Sequence, residues 1–427
     1  MADSPAASDA SERRRAKPWE WSRLKPSRST PMTGQISRHP SSPHSSPQPR
    51  PQQDPFEVLT ITPELHADYI QTLPSASFLQ CPSWAQVKAG WESETIGWTD
   101  RTGTIVGSAL VLYRTIRATG HRFAYLPEGP LIDWSDGDLS RWLDPLVSHL
   151  RERRAFAVRI GPAVDLHRWN APTLKSALRH DEVLDLGDVA PDEVNDNGVA
   201  AAEQLRSLGW RSSGRLTRAS VQPALIFELP LANRSLDDIW RGFNKQWRHS
   251  IRKAEREGVA VSLGDGQDLP AFYTLLKVTQ ERDGFDLGRS LGYYQRQYDA
   301  LSAEHPERMA LYLARHSGET LAAHTMNIVG DRAWYHLGAS ASHRRQLCPS
   351  HAVQWQMIRD AHRAGCATYD MRGFNTTLDT TDRRSGLLRW KVGTGGRAVE
   401  LLGEWDYPLN RSLYHAFNLY LASRRLV

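Results

Sequence analysis

Between Leu236 and Val261 the chain reads LDDIWRGFNKQWRHSIRKAEREGVAV, in which Arg241, Lys245, Arg248, His249, Arg252, Lys253 and Arg256 are cations or can become so. That density exceeds what solubility asks of one segment, and few acids, chiefly Glu255 and Glu257, stand near enough to neutralise it. Clustered Lys and Arg are what a polyanionic backbone selects, so the segment points to a nucleic acid or another phosphate-rich ligand. The alternative is a polar, solvated face. Ile239, Phe243, Trp247 and Ile251 recur at i, i+4 steps, which predicts one helix whose apolar stripe leaves the cations on its other faces.

Other chemistry is bounded by what the chain lacks. Cys81, Cys348 and Cys366 show neither metal-ligand spacing nor a disulfide framework, so no metal is expected and a reducing, cytoplasmic setting fits. Trp334, Trp355, Trp390 and Trp405 read as core or groove lining rather than base-stacking platforms. A formal charge of +5 and a pI near 9.1 lean toward an anionic partner. No run of about 18 apolar residues exists to span a membrane, and the N-terminus lacks an apolar signal-peptide segment.

The elements that must position these groups occur twice. Residues 1–54 form a Ser-, Pro- and Arg-rich tail, including Arg13, Arg14 and Arg15, that cannot bury enough apolar surface to fold and is expected to be disordered. From Phe56 the pattern predicts a strand over Val58–Thr62 and a helix capped by Thr62 and running through Tyr69. Next come a short helix over Ser83–Lys88 and strands at Glu94–Trp98, Ile105–Tyr113 and Phe123–Leu126. A helix with Leu146, Val147 and Leu150 and a strand at Ala155–Ile160 complete the set. A helix around Ala201–Leu208 is stopped by Gly209. A strand at Leu225–Phe227 opens the second half, in which Met309, Leu311 and Leu313 alternate, Ser317-Gly318 and Gly330-Asp331 make turns, and a helix through Ala352–Ala361 closes at Gly365 before a strand over Ala367–Met371. Glycines 393, 395 and 396 turn the chain into a run from Ala398 to Trp405, and a last helix over Leu409–Arg424 returns to the first domain.

Both halves thus read β-β-β-α-β, the order of a GNAT-type acyltransferase core. The expected fold is α/β (α+β) with two tandem GNAT-like domains, mostly antiparallel sheets flanked by helices and no coiled-coil arm: one domain from 55–223 plus 403–427, the other from 224–402. An acetyl-CoA-dependent enzyme of this type needs bare backbone amides at the start of its central helix to approach the pyrophosphate. Here that segment is RRQLCPS, with no glycine and a proline, so coenzyme A is disfavoured.

The motifs FLQCPSWAQVKAGW, FAYLPEGPLID, WRGFNKQWRHSIRKAEREGV, ERDGFDLGRSLGYYQ, AGCATYDMRGFN and LLRWKVGTGG, in that order over about residues 56–405, resemble the Fem family of peptidoglycan interpeptide-bridge aminoacyltransferases, and the absent arm resembles its shorter, FemX-like members. The resemblance implies transfer of an amino acid from tRNA to the side-chain amine of the stem peptide in a UDP-linked or lipid-linked precursor. It implies no cofactor beyond aminoacyl-tRNA as co-substrate, a monomer, and possible peripheral contact with the inner membrane face. It also assigns residues. Lys88, Arg289 and Tyr293 are expected to hold the precursor's diphosphate and sugar, a guanidinium being able to grip two phosphate oxygens. Tyr335 is expected in the substrate cavity. Lys391, after Trp390, is expected at the acyl-transfer centre, where a fixed cation stabilises a tetrahedral oxyanion or holds the tRNA end. Lys245, Arg248, Arg252 and Lys253 become the expected tRNA contacts. Taken alone, Lys391 reads as an exposed strand lysine and Lys88 as a solvated helix residue. Two positions depart from the family pattern: Gly161 stands where an acidic residue is expected, and Leu337 where a second cavity tyrosine is. A tRNA-dependent ligase of peptide natural products remains the alternative with the same chemistry.

Overall fold

The computed structural model describes residues 56–179, 182–212, 222–286, 288–379, 381–382 and 385–423, and the tail 1–54 lies outside them. The first stretch forms β1 (Glu57–Thr60), α1 (Pro63–Thr72), α2 (Trp84–Val87), β2 (Glu92–Thr99), β3 (Ile105–Ile116), β4 (His121–Leu126), α3 (Ser140–Glu152) and β5 (Ala155–Ile160). Then follow β6 (Asp165–Asn170), α4 (Ala171–Ala177), β7 (Glu193–Val194), α5 (Asp196–Ser207) and β8 (Arg211–Ser212). The second half carries β9 (Leu225–Pro230), α6 (Leu236–Gly242), α7 (Lys245–Arg256), β10 (Ala260–Gly264), α8 (Leu269–Asp283), α9 (Leu291–Glu304), β11 (Ala310–His316), β12 (Glu319–Val329) and β13 (Arg332–Ser340). It ends with α10 (Pro349–Arg363), β14 (Thr368–Gly373), α11 (Ser385–Val392), β15 (Arg397–Leu401), β16 (Trp405–Pro408) and α12 (Arg411–Ser423).

Two sheets result, in the orders β1-β2-β3-β4-β5-β16-β8 and β10-β11-β12-β13-β14-β9-β15-β6-β7. In each, an antiparallel meander ends in a strand that pairs in parallel with the next across one helix: β4 with β5 over α3, and β13 with β14 over α10. The local chemistry explains the elements. Thr62 caps α1 by accepting the Leu65 amide, and Pro63 follows where no N–H is needed. Alternation in β2 and β3 sends Ile96, Trp98, Ala109 and Val111 against Leu143, Leu146 and Leu150 of α3. The second core packs Trp247 and Ile251 of α7 and Val353, Met357 and Ile358 of α10 on Phe227, Ala333 and Tyr369 of the sheet.

The structure departs from the sequence pattern in three places. The expected helix over 236–261 is two helices. Asn244 interrupts it by accepting the Trp247 amide at 2.8 Å as the cap of α7, yet the apolar stripe survives the break because Phe243, Trp247 and Ile251 are all buried. The run 398–405 divides at Gly403, which has φ +72°, so that β15 joins the second sheet while β16 pairs with β5 and β8 of the first. The second sheet also draws on residues before 224, because β6 pairs antiparallel with β15 and carries β7 at the edge. The terminal helix returns to the first sheet: Phe417 stacks on Phe123 with ring centroids 5.1 Å apart, and Tyr414 donates to Asp406, which also takes a bidentate pair from Arg159.

Candidate active site

The site is organised by a gap in the second sheet. The parallel pairing of β13 and β14 holds only from Arg332–Trp334 against Thr368–Asp370, after which the ladder stops. Beyond it Arg372 takes φ +60°, a left-handed conformation that a side chain enters only when its surroundings impose it. Alternation along β13 then gives the gap two faces. Trp334 and His336 face the first half of the chain, where both rings meet Phe78 at 5.6 and 5.0 Å. Tyr335 faces the α10 side, near His324 at 5.1 Å and Trp390 at 6.5 Å.

On the first face two expected cations converge from distant sequence. Lys88, just past α2, lies 5.6 Å from the Trp84 ring, and Arg289, just before α9, lies 4.9 Å from the Tyr293 ring. Ser83 beside α2 donates to Glu304 at the end of α9, tying the two elements together. Burial, and then the Arg289 charge, bring the Lys88 ammonium down to about 8. His336 follows on the same face, held neutral near 3 by burial and by the charges of Arg372 and Lys88.

On the other face, Trp390 donates to His351 at 3.1 Å and Trp247 donates to the Trp390 carbonyl at 2.7 Å. Burial keeps His351 near 4, so a neutral ring accepts that bond. Gly338 is needed here: a Cβ would fall 1.9 Å from the Tyr335 hydroxyl. Gly338→Ala is therefore expected to drive the Tyr335 ring from its seat and to cost about 1–3 kcal/mol of stability through overpacking, with kcat reduced, as thermal denaturation and steady-state assays would measure.

Lys391 is not on a strand and is not exposed. It lies on α11 at 1% exposure, and its Nζ donates to the carbonyls of Arg372 and Gly373 at 2.9 and 2.6 Å. Burial brings it down to about 7, opposed by Asp370 and assisted by Arg372. The α7 cations are not equivalent either. Arg248 donates to the carbonyls of Arg241 and Phe243, and Arg252 lies 5.3 Å over the Trp240 ring. The ammonium groups of Lys245 and Lys253 have no hydrogen-bond partner among the described residues.

Other site residues carry no local signal in the sequence. Glu128 and Arg372, 244 residues apart, form a 2.8 Å ion pair, and both line a cavity of about 250 Å³ between the sheets together with Ser77, Arg332, Trp334 and Asp370. Arg332 pairs with Glu228 and Asp370, and Arg397 also meets Glu228. At Gly161 a Cβ would stand 3.2 Å from the Glu128 backbone amide and 3.5 Å from Glu404 Cγ, so the Glu128 backbone and the Glu404 side chain occupy the space beside the place where an acid was expected. Leu337 packs at the edge of the cluster formed by α8, β11 and β12.

Two tandem sheets of this order, one opened beside a buried lysine and flanked by cations, define a GNAT-like fold. The family model described as the FemAB family matches residues 61–317 and 314–421, and the chain belongs to that family, whose members are transferases. Lipid II:glycine glycyltransferase of Staphylococcus haemolyticus (strain JCSC1435) is 24% identical over 427 residues, covering 84% of this chain and 94% of the relative. The protein of the same name from Staphylococcus aureus (strain MRSA252) is 24% identical over 429 residues with the same coverage. The crystal structure of FemX superposes with a TM-score of 0.70 at 23% identity, covering 84% of this chain and 99% of that one, and so shares the fold. No helix among the described residues is long and apolar enough to cross a membrane.

Proposed function

We infer that the protein transfers an aminoacyl group from tRNA to the side-chain amine of the stem peptide of a peptidoglycan precursor, either UDP-linked or lipid-linked, in the building of the interpeptide bridge. The observation that carries this reading is the convergence of Lys88 and Arg289, from opposite halves of the chain, beside the gap between β13 and β14. Two cations in one neighbourhood repel each other, which after burial is the second cause of the lowered Lys88, and an anionic diphosphate would relieve that repulsion. The relatives named for lipid II and glycine support the same acceptor class.

In this reading the precursor lies on the Lys88 face with Tyr293 beside it, and the tRNA acceptor end arrives from the side of α7, Tyr335 and Trp390. The acceptor amine attacks the ester carbonyl, a C–N bond forms, the bond to the ribose oxygen breaks, and the proton lost by nitrogen is balanced by one gained at the departing oxygen. Lys391 stabilises the developing oxyanion from behind the Arg372–Gly373 turn. No metal or coenzyme takes part. A lipid-linked acceptor would bring the protein to the cytoplasmic membrane surface.

The test incubates purified protein with a mixture of labelled aminoacyl-tRNAs and, in separate arms, lipid-linked precursor, UDP-linked precursor or free peptides. Label should move to one of the first two, and its absence there removes the reading. For the tRNA side, Lys245→Ala and Lys253→Ala are each expected to weaken tRNA binding only a few-fold and to reduce the salt dependence of log Kd by about one unit or less. Filter binding at several salt concentrations measures it.

A further inference from the structure

Glu128 and Arg372 are both left-handed, at φ +48° and +60°, although neither is glycine. Such conformations persist where surrounding contacts over-determine them, and here the contacts can be followed atom by atom. The Arg372 amide donates to Asp370 Oδ1 at 2.6 Å, and its carbonyl, with that of Gly373, receives the Lys391 ammonium. Its guanidinium donates to Glu128 Oε1 at 2.8 Å and to Gln222 Oε1 at 2.9 Å. Glu128, only 8% exposed, uses its second oxygen to accept from Ser77 at 2.6 Å. The turn that seats Lys391 is therefore gripped from its own strand, from α11 and from the first half of the chain.

We propose that Glu128 is a positioning residue of the transfer reaction, acting through Arg372 to hold the Asp370–Gly373 turn that seats the Lys391 ammonium and to balance the guanidinium charge beside it. The proposal rests on the transferase reading above and goes beyond it, since neither the spacing of the sequence nor the resemblance assigns Glu128 or Arg372 any role. Facing Lys391 are Asp370 and Arg372 of β14. Next outward stand His336 and Tyr335 of β13, His351 of α10 beside Trp390, Arg389 on α11 itself, and the Glu228–Arg332 pair beside Asp370. His336 and His351 are held neutral, so Glu128 and Asp370 are the anions set against Arg372.

The signs of the electrostatic effects separate this role from a structural one. Glu128→Gln keeps the volume and the Ser77 contact but leaves Asp370 alone to balance the Arg372 cation beside Lys391. The alkaline limb of kcat is expected to move to lower pH by about one unit, with kcat reduced about tenfold and the KM for aminoacyl-tRNA unchanged. Arg372→Gln should move the same limb to higher pH, and the double variant should return it close to the wild-type position. Limbs that coincide in all variants, with only activity lowered, overturn the proposal. Hydrogen exchange provides a readout independent of activity: in unliganded Glu128→Gln, amides of the 370–373 turn should exchange at least tenfold faster than in wild type, and unchanged exchange also overturns it. If Glu128→Gln fails to fold, Arg372→Gln and the double variant carry the limb test, and Glu128→Asp the exchange test. A wild-type protein that makes no product with either precursor sinks the transferase reading instead, and the exchange result still decides the positioning claim.

Discussion

Lys391→Met is expected to reduce the rate of aminoacyl transfer by about two to three orders of magnitude, the loss seen when one preorganised donor to an oxyanion is removed, while tRNA binding is at least partly retained. Methionine matches the length of lysine but brings neither charge nor donor, so the Arg372 and Gly373 carbonyls would lose their shared partner along with the site's buried cation. Lysine offers three N–H groups, of which two meet carbonyls, leaving one for a bound ligand. The pH dependence follows from the lowered value of about 7. The ammonium is the working form and is present below that value, so the rate should fall as pH rises through it, and Lys391→Met should show no such limb. Lys391→Arg, cationic throughout, should move the limb far up even if its planar head fits the turn poorly. Single-turnover rates across pH 6–9, with filter binding of charged tRNA alongside, measure both. A Lys391→Met enzyme that transfers at the wild-type rate would remove Lys391 from the acyl-transfer centre.

The difference between what the sequence reveals here and what it hides is one of range. The meanders and their crossover helices were legible because alternation, turn glycines and a Thr62 cap are short-range signals that the folded chain reinforces. The break at Asn244 left a trace too, since Asn is a strong cap, but the apolar stripe runs through it and periodicity alone joins the two helices. Lys391 looked exposed because Leu388, Trp390 and Val392 suit a strand edge as well as a short helix, and only the Arg372–Gly373 carbonyls supplied from 18 and 19 residues away give a buried ammonium its partners. The basic helix advertised its charge but not its division of labour: Arg248 is engaged by backbone carbonyls that the α6–α7 turn brings to it. Glu128 with Arg372, and Arg332 with Glu228, lie 244 and 104 residues apart, and no local pattern carries such pairs.

Replacing Lys88 or Arg289 with methionine is expected to raise the KM for the precursor about 10- to 100-fold, the worth of about 1.5–3 kcal/mol for a hydrogen bond to a charged group, while the KM for aminoacyl-tRNA changes little. The asymmetry follows from geometry: both cations lie on the His336 face of β13, whereas Tyr335, Trp390 and α7 lie on the other. A KM change confined to one substrate marks binding lost equally in ground and transition states, so kcat should move far less. The two variants should also differ from each other with pH. In wild type the ammonium of Lys88 is lost as pH rises through about 8, so the precursor KM should climb between pH 7 and 9. In Arg289→Met the neighbouring cation is gone, the Lys88 value rises toward that of an ordinary lysine, and the climb should shift to higher pH. In Lys88→Met there is no such group to titrate, and KM should be high and flat across the range. Equal increases in the KM of both substrates, or identical pH profiles for the two variants, would separate these residues from the diphosphate and leave the Lys88 face without a ligand.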